Sequence, residues 1–297
     1  MENPEKPYTD RAVDRLSRWP ALRAVADAWQ PVVRGALERA GRGTSDLLHG
    51  TPLGHPLHPL LTDVPVGAWT VTAVLDALEL AGRDDLAGGA DAALGIGIAG
   101  AALAAAAGWA DWSDTSGEVK SLGMAHAALN GAALTAYAAA FGLRRAGRRD
   151  AGIGLAMLGY ALVGASGYLG GELAFGLQIG VKHTAVPIDP PEEFVPVLDA
   201  SALAERTMQR VELAGIPVLL YRDGDAIHAV SAVCTHRGAP LDEGSVADGC
   251  VECPWHGSAF RFVDGGIARG PATFPLTRYD VRVKGGIVQL RAPRDLD

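Results

Sequence analysis

Cys234-Thr235-His236-Arg237-Gly238 and, after fourteen intervening residues, Cys253-Pro254-Trp255-His256-Gly257-Ser258 decide how this chain is to be read. Each short stretch offers one thiolate and one imidazole. A finger-type structural zinc site pairs Cys with Cys and His with His, as C-x₂₋₄-C and H-x₃₋₅-H. Interleaved Cys-x-His and Cys-x-x-His instead suits a two-iron, two-sulfide cluster, with two thiolates on one iron and two neutral imidazoles on the other. A mononuclear Cys₂His₂ zinc or iron site is the alternative. Two loops that converge on one cluster need tight turns and small residues beside it. Gly238 and Pro240 follow the first pair, and Pro254 and Gly257 bracket the second, as stiff turns require.

These two motifs resemble the Rieske [2Fe–2S] family. The resemblance implies Cys234, His236, Cys253 and His256 as iron ligands, with hydrogen bonds from backbone amides and the Ser258 hydroxyl to the cluster sulfurs raising its potential. High-potential respiratory members add a second Cys to each loop and join the two as a disulfide. Here Ala239 or its neighbours and Trp255 hold those places, and Phe260 stands where those members carry a tyrosine. Both departures place the expected centre nearer the ferredoxin-like members, in the lower part of the roughly −150 to +300 mV range.

Three cysteines occur in all. The third, Cys250, forms Cys250-Val-Glu-Cys253, but no thioredoxin-like βαβ pattern surrounds that C-x-x-C, and a small buried thiol is the expectation. A net charge of −8 over 297 residues argues against nucleic acid as a partner.

The hydrophobic content is 48% and unevenly spread. Four Ala/Gly-rich segments lie between about residues 61 and 180. Residues 92–110 and 151–171 are uncharged, and 121–143 is uncharged apart from a possible proton on His126. Each matches the roughly 20 residues that cross a bilayer as a helix. The first, 61–81, is interrupted by Asp76 and Glu79. A soluble bundle would need polar stripes at helical spacing, and the last three segments have none. Small residues let membrane helices approach closely, so Gly95-Ile-Gly97-Ile-Ala-Gly100 reads as a packing face and not a dinucleotide loop.

The expected organisation is a multidomain membrane protein, a four-helix transmembrane α bundle joined to an all-β Rieske-type domain. Residues 1–50 form a polar helical segment without the features of a cleavable signal peptide. Residues 51–181 hold the four spans, 182–196 a Pro-rich linker, and 197–293 the β domain. Short β-like runs at 209–213, 217–221, 227–230, 278–284 and 287–291 are separated by Asp223-Gly224, Asp264-Gly265-Gly266 and Gly285-Gly286. His55-Pro-Leu-His58-Pro-Leu-Leu-Thr-Asp63-Val-Pro65-Val-Gly67, followed by four spans, also resembles a family of uncharacterised bacterial four-helix membrane proteins. That likeness implies architecture and no activity.

Four spans put the amino-terminal segment, the middle loop and the β domain on one side of the membrane. His55, His58, His126 and His183 then gather near one surface. His126 and Asn130 share a helix face, and polar groups at membrane depth often mark function. His55, His58 and His126 are therefore candidates for holding haem b or a quinone. Arg83, Arg144, Arg145, Arg148 and Arg149 in the outer two loops set the β domain outside the cytoplasm by the positive-inside rule. Arg34, Arg39, Arg42 and Lys182 weigh against that side. The expected function is membrane-anchored one-electron transfer with a redox partner protein or membrane cofactor. Alternatives are a module sensing redox, iron or oxygen status, and a ferredoxin component serving a separate oxygenase. An oxygenase within this chain would need two histidines and a carboxylate on a further iron, and no histidine follows His256.

Overall fold

The computed structural model describes residues 8–184 and 191–292. Pro187 and Pro190 of the expected linker lie outside the described residues. The chain divides into two compact units, one of residues 1–44 and 57–179, the other of 45–56 and 180–297. The segment Ser45–Pro56, which the sequence reading divides between the polar amino-terminal segment (1–50) and the four-span region (51–181), thus groups with the β unit.

The first unit is helical: α1 (Tyr8–Ser17), α2 (Pro20–Ala40), α4 (Leu57–Leu80), α5 (Ala87–Ser113), α6 (Gly117–Arg145) and α7 (Arg149–Gly171), the last followed by a π-helical turn, Glu172–Gly176. Helix α3 (Arg42–His49) leads from this unit into the other. Among the described residues, three helices are long and apolar enough to cross a membrane: Leu57–Leu80, Asp84–Ser113 and Arg149–Gly176. Helix α6 is comparably long, but Glu118, Lys120, His126, Asn130, Arg144 and Arg145 lower its apolarity. The expected count of four apolar spans is therefore reduced to three by this measure.

Helix α4 packs along α5, and α6 along α7. Trp69 stacks on Tyr137 with ring centroids 4.0 Å apart, amid Leu94, Ala133, Ala140, Ala156 and Val163. Gly97 and Gly100 are buried against α4, where a methyl group would overlap the Trp69 indole or the Val64 side chain. The glycine motif is thus a helix-packing face. At one end of the bundle, Arg144 bonds Asp76 with both side chains fully buried, and also Asp91 at 3.1 Å. Arg149 bonds Glu79 and, at 3.1 Å, Asp91. Asp76 and Glu79, which interrupt the first apolar segment, are thus held by ion pairing that ties α4, α5, α6 and α7 together. Gln30 on α2 donates to the carbonyls of Ser113 and Thr115, at 3.0 and 2.8 Å, fixing the amino-terminal helices over the α5–α6 turn.

The second unit is built of short antiparallel strands: β1 (Val195–Asp199), β2 (Met208–Leu213), β3 (Ile216–Asp223), β4 (Ala226–Ser231), β5 (Ser245–Ala247), β6 (Cys250–Glu252), β7 (Ala259–Arg261), β8 (Ile267–Arg269), β9 (Asp280–Lys284) and β10 (Ile287–Arg291). They form sheets ordered β1-β10-β9, β2-β3-β4 and β5-β6-β7-β8. The longer strands follow the alternating runs of the sequence. Strands β5 to β8 have only three residues each, too few for a periodic signal, and pairing alone defines them. Leu219, Val230, Val251, Phe260 and Phe262 are buried in one core with Cys234 and Cys253.

Candidate metal centre

The two motif loops are built alike. In the first, Cys234 N–H donates to Ala239 O at 2.8 Å and Gly238 N–H returns to Cys234 O at 3.0 Å. In the second, Cys253 N–H donates to Ser258 O at 2.8 Å and Gly257 N–H returns to Cys253 O at 3.1 Å. Each loop closes on a glycine with positive φ, 74° at Gly238 and 72° at Gly257, a conformation that a side chain strains. His236 sits two residues after its Cys and His256 three. The different Cys-to-His spacings are thus accommodated within one loop geometry. Arg269 braces the second loop, donating to Gly257 O at 2.8 Å and pairing with Glu252 at 2.6 Å. Thr235 Oγ1 braces the first by donating to Phe274 O at 2.6 Å.

The loops bring like ligands together. Cys234 and Cys253 are buried and hydrogen-bonded to each other. That bond holds the Cys253 thiol down to about 6 and pushes the Cys234 thiol up, so the pair shares a proton. Removing it sets two negative sulfurs together in a buried place, which a cation must balance. The rings of His236 and His256 meet edge to face, with centroids 5.0 Å apart and planes at 84°. Burial holds the His236 imidazole well below the usual range, aided by the charges of His256, His49, Arg237 and His183, so it is neutral at pH 7. Its buried Nδ1 has no hydrogen-bond partner within the protein. Two paired thiols, two paired imidazoles and an orphaned buried nitrogen fit a cluster with one iron per pair. Among the described residues no three Cys, His, Asp or Glu are grouped around a single ion.

Ser258 is buried, and its Oγ accepts the Ala272 N–H at 3.0 Å, which leaves its own proton to donate elsewhere. Phe260 lies in the core behind the loops. Cys250 is half-buried on β6, not buried as expected, with Sγ 3.7 Å from Asp248 O. Strand alternation turns it away from the side on which Val251 is buried.

Two further segments reach residues beside the ligand loops, and of their members the sequence reading singled out His55 and His183 but not Asp46 or Thr51. Asp46 accepts the Gly270 N–H at 3.1 Å, and Thr51 donates to Ala272 O at 3.2 Å. His55 packs edge-on to Phe274 at 6.4 Å, and His183 N–H donates to Thr235 O at 3.1 Å. Two segments flanking the span-bearing region in sequence therefore brace the ligand loops. No local motif announces this, because each contact joins residues far apart in the chain.

Of the membrane histidines, the structure brings His58 and His126 together, with ring centroids 6.4 Å apart at 87°. His55 is held in the β unit against Phe274 and is not part of that pair.

A small all-β domain whose hairpin loops pair two thiols and two imidazoles is of the iron–sulfur, electron-carrying class. The chain belongs to the Rieske [2Fe–2S] domain family, whose model matches residues 193–280, and that family carries a [2Fe–2S] cluster. Residues 54–183 match a second family, described as a predicted membrane protein (DUF2231). Ferredoxin CarAc of Metapseudomonas resinovorans is 40% identical over 96 residues, 32% of this chain and 90% of that protein. The anthranilate 1,2-dioxygenase ferredoxin subunit of Burkholderia cepacia is 38% identical over 74 residues, 25% of this chain and 68% of that protein. Among solved structures, the ferredoxin of carbazole 1,9a-dioxygenase from Nocardioides aromaticivorans IC177 matches with a TM-score of 0.33 and 31% identity. That match covers 35% of this chain and 100% of the ferredoxin.

Proposed function

We propose that the protein is a membrane-anchored one-electron carrier in which Cys234 and Cys253 hold one iron of a [2Fe–2S] cluster and His236 and His256 the other. The pairing of thiol with thiol and ring with ring by two matched loops carries this reading. Bound there, the cluster supplies reversible uptake of one electron. The protein's part is to keep the His236 imidazole neutral, exclude water from the sulfurs within the Phe260 and Phe262 core, and offer the Ser258 hydroxyl as a donor that favours the reduced form.

Helices α4, α5, α6 and α7 serve as four spans. Pairing of Arg144 with the buried Asp76 and the partly exposed Asp91 supports α6 as the fourth, because a charged group at a helix end is tolerated in a bilayer when paired within the bundle. In this arrangement the α5–α6 turn and the amino-terminal helices share a side with the β unit, and that side is outside the cytoplasm. The electron partner is a redox protein or a membrane cofactor. The likeness to ferredoxin subunits favours, as a second reading, delivery of electrons to a separate oxygenase.

Anaerobically purified protein is expected to hold about two irons of the cluster per chain and, when reduced, to show the low average g-value of a mixed Cys/His centre. Cys234→Ser and His256→Cys should abolish or transform that signal. Stoichiometric zinc without iron would sink the proposal.

A further inference from the structure

His58 opens α4, and its Nδ1 lies 2.8 Å from Ala104 O of α5. His126 is on α6, and its Nδ1 lies 2.9 Å from Ser166 O of α7. A helix carbonyl can only accept, so each contact requires a protonated Nδ1 and leaves Nε2 with its lone pair free to ligate. Metal-bound histidines are commonly anchored in this way, by a carbonyl that fixes both tautomer and ring. Ser166 Oγ reinforces the His126 anchor, 2.9 Å from Nδ1 and donating to His126 O at 3.2 Å. Asn130 Nδ2 stands 3.0 Å from His126 Nε2, donating to the lone pair where a metal would sit.

The neighbouring helices make room for both rings. A methyl group on Gly108 would stand 2.8 Å from His58 Cε1, and one on Gly170 would stand 3.1 Å from His126 Cε1. All four long helices thus contribute to one polar site, α4 and α6 the imidazoles, α5 and α7 the anchoring carbonyls and the glycines. The ring centroids are 6.4 Å apart. A metal about 2 Å from one nitrogen of each of two imidazoles on opposite sides of it puts the ring centres roughly 6 Å apart, whatever the angle between the ring planes, which here is 87°.

The donor count selects the ligand. Among the described residues no thiolate or carboxylate joins these two imidazoles in a group of three or more. A bare ion held by two nitrogens would be short of protein donors. An iron tetrapyrrole brings four nitrogens of its own, needs only two axial imidazoles, and has an apolar rim suited to apolar helices.

We infer that the helical unit binds a haem with His58 and His126 as its axial ligands and Asn130 as the group displaced from His126 when iron enters. This deepens the electron-transfer proposal by supplying a membrane cofactor, but it stands on residues separate from those of the cluster.

The test uses the full chain purified in detergent from cells supplied with haem precursor, and titrates haemin into any haem-free fraction. Wild type is expected to show the paired α and β bands of low-spin reduced haem and about one haem per chain. His58→Ala and His126→Ala should each bind at least about tenfold less, while His55→Ala, at a residue held against Phe274 in the β unit, keeps the bands. His126→Met guards against misfolding, because a shifted low-spin spectrum reports a changed axial ligand in an assembled bundle. Failure of wild type to hold or take up haem overturns the inference. So does haem that neither alanine variant alters, or a quinone that copurifies and is lost in those variants while haem is absent. Cluster EPR on the same samples separates the two proposals: losing the cluster signal while haem binding persists refutes the carrier reading and leaves this one standing.

Discussion

Removing Asp46 and Thr51 tests whether a segment outside the β strands is part of the cluster-binding unit. The Gly270 N–H is buried and has Asp46 as its acceptor at 3.1 Å. Asp46→Ala leaves that donor without its acceptor, at a cost of about 1–3 kcal/mol. Thr51→Val removes the 3.2 Å bond to the buried Ala272 carbonyl, a neutral pair contributing about 0.5–1.5 kcal/mol. Both residues lie more than two hundred positions from their partners, so neither change touches a local turn. Together they should lower the stability of the β unit by roughly 2–4 kcal/mol. With a urea dependence of about 1–3 kcal/mol per molar, the midpoint for cluster loss should fall by on the order of 1 M. The assay is urea titration of detergent-solubilised full chain, following visible circular dichroism for the cluster and far-ultraviolet dichroism for the helices. The cluster transition should move and the helical one stay. A double-variant midpoint within about 0.2 M of wild type, or helix loss preceding cluster loss, would refute the reasoning.

Asp76→Leu strands Arg144, whose remaining partner Asp91 is partly exposed, and should cost about 3–5 kcal/mol, with Asp76→Leu/Arg144→Leu recovering most of it. A double variant as damaged as the sum of the singles would rule out a mutual pair. Ser258→Ala should lower the midpoint potential by roughly 40 mV, the one-electron equivalent of a hydrogen bond of about 1 kcal/mol. An unchanged potential in protein voltammetry would mean that the hydroxyl does not reach the sulfurs. For orientation, a reporter active only outside the cytoplasm should work when fused after Asp297. Neutralising Arg145 and Arg148 should weaken it, since Arg83, Arg144 and Arg149 are already ion-paired and offer less charge to hold the loops inside. Activity from a cytoplasmic reporter alone would reverse the side.

Much of this molecule is written locally. Cys234, His236, Cys253 and His256 declare their chemistry because ligands to one cluster must come from tight loops, and a tight loop is a run of a few residues carrying its own glycine. The apolar helices and the longer strands are equally legible, since burial on one or all faces imposes a period or a composition on consecutive residues. Other features were decided only when the chain folded. Strands β5 to β8 are too short to carry a period. Asp76 and Glu79 look like mere interruptions of an apolar segment until α6 and α7 bring Arg144 and Arg149 to them. His55, His58 and His126 are alike as sequence, yet tertiary packing sends His55 to Phe274 and pairs the other two through carbonyls of Ala104 and Ser166. The brace of Asp46 and Thr51 on Gly270 and Ala272 leaves no local trace. A hydrogen bond between distant segments constrains which groups meet in space, and their order along the chain records nothing of it.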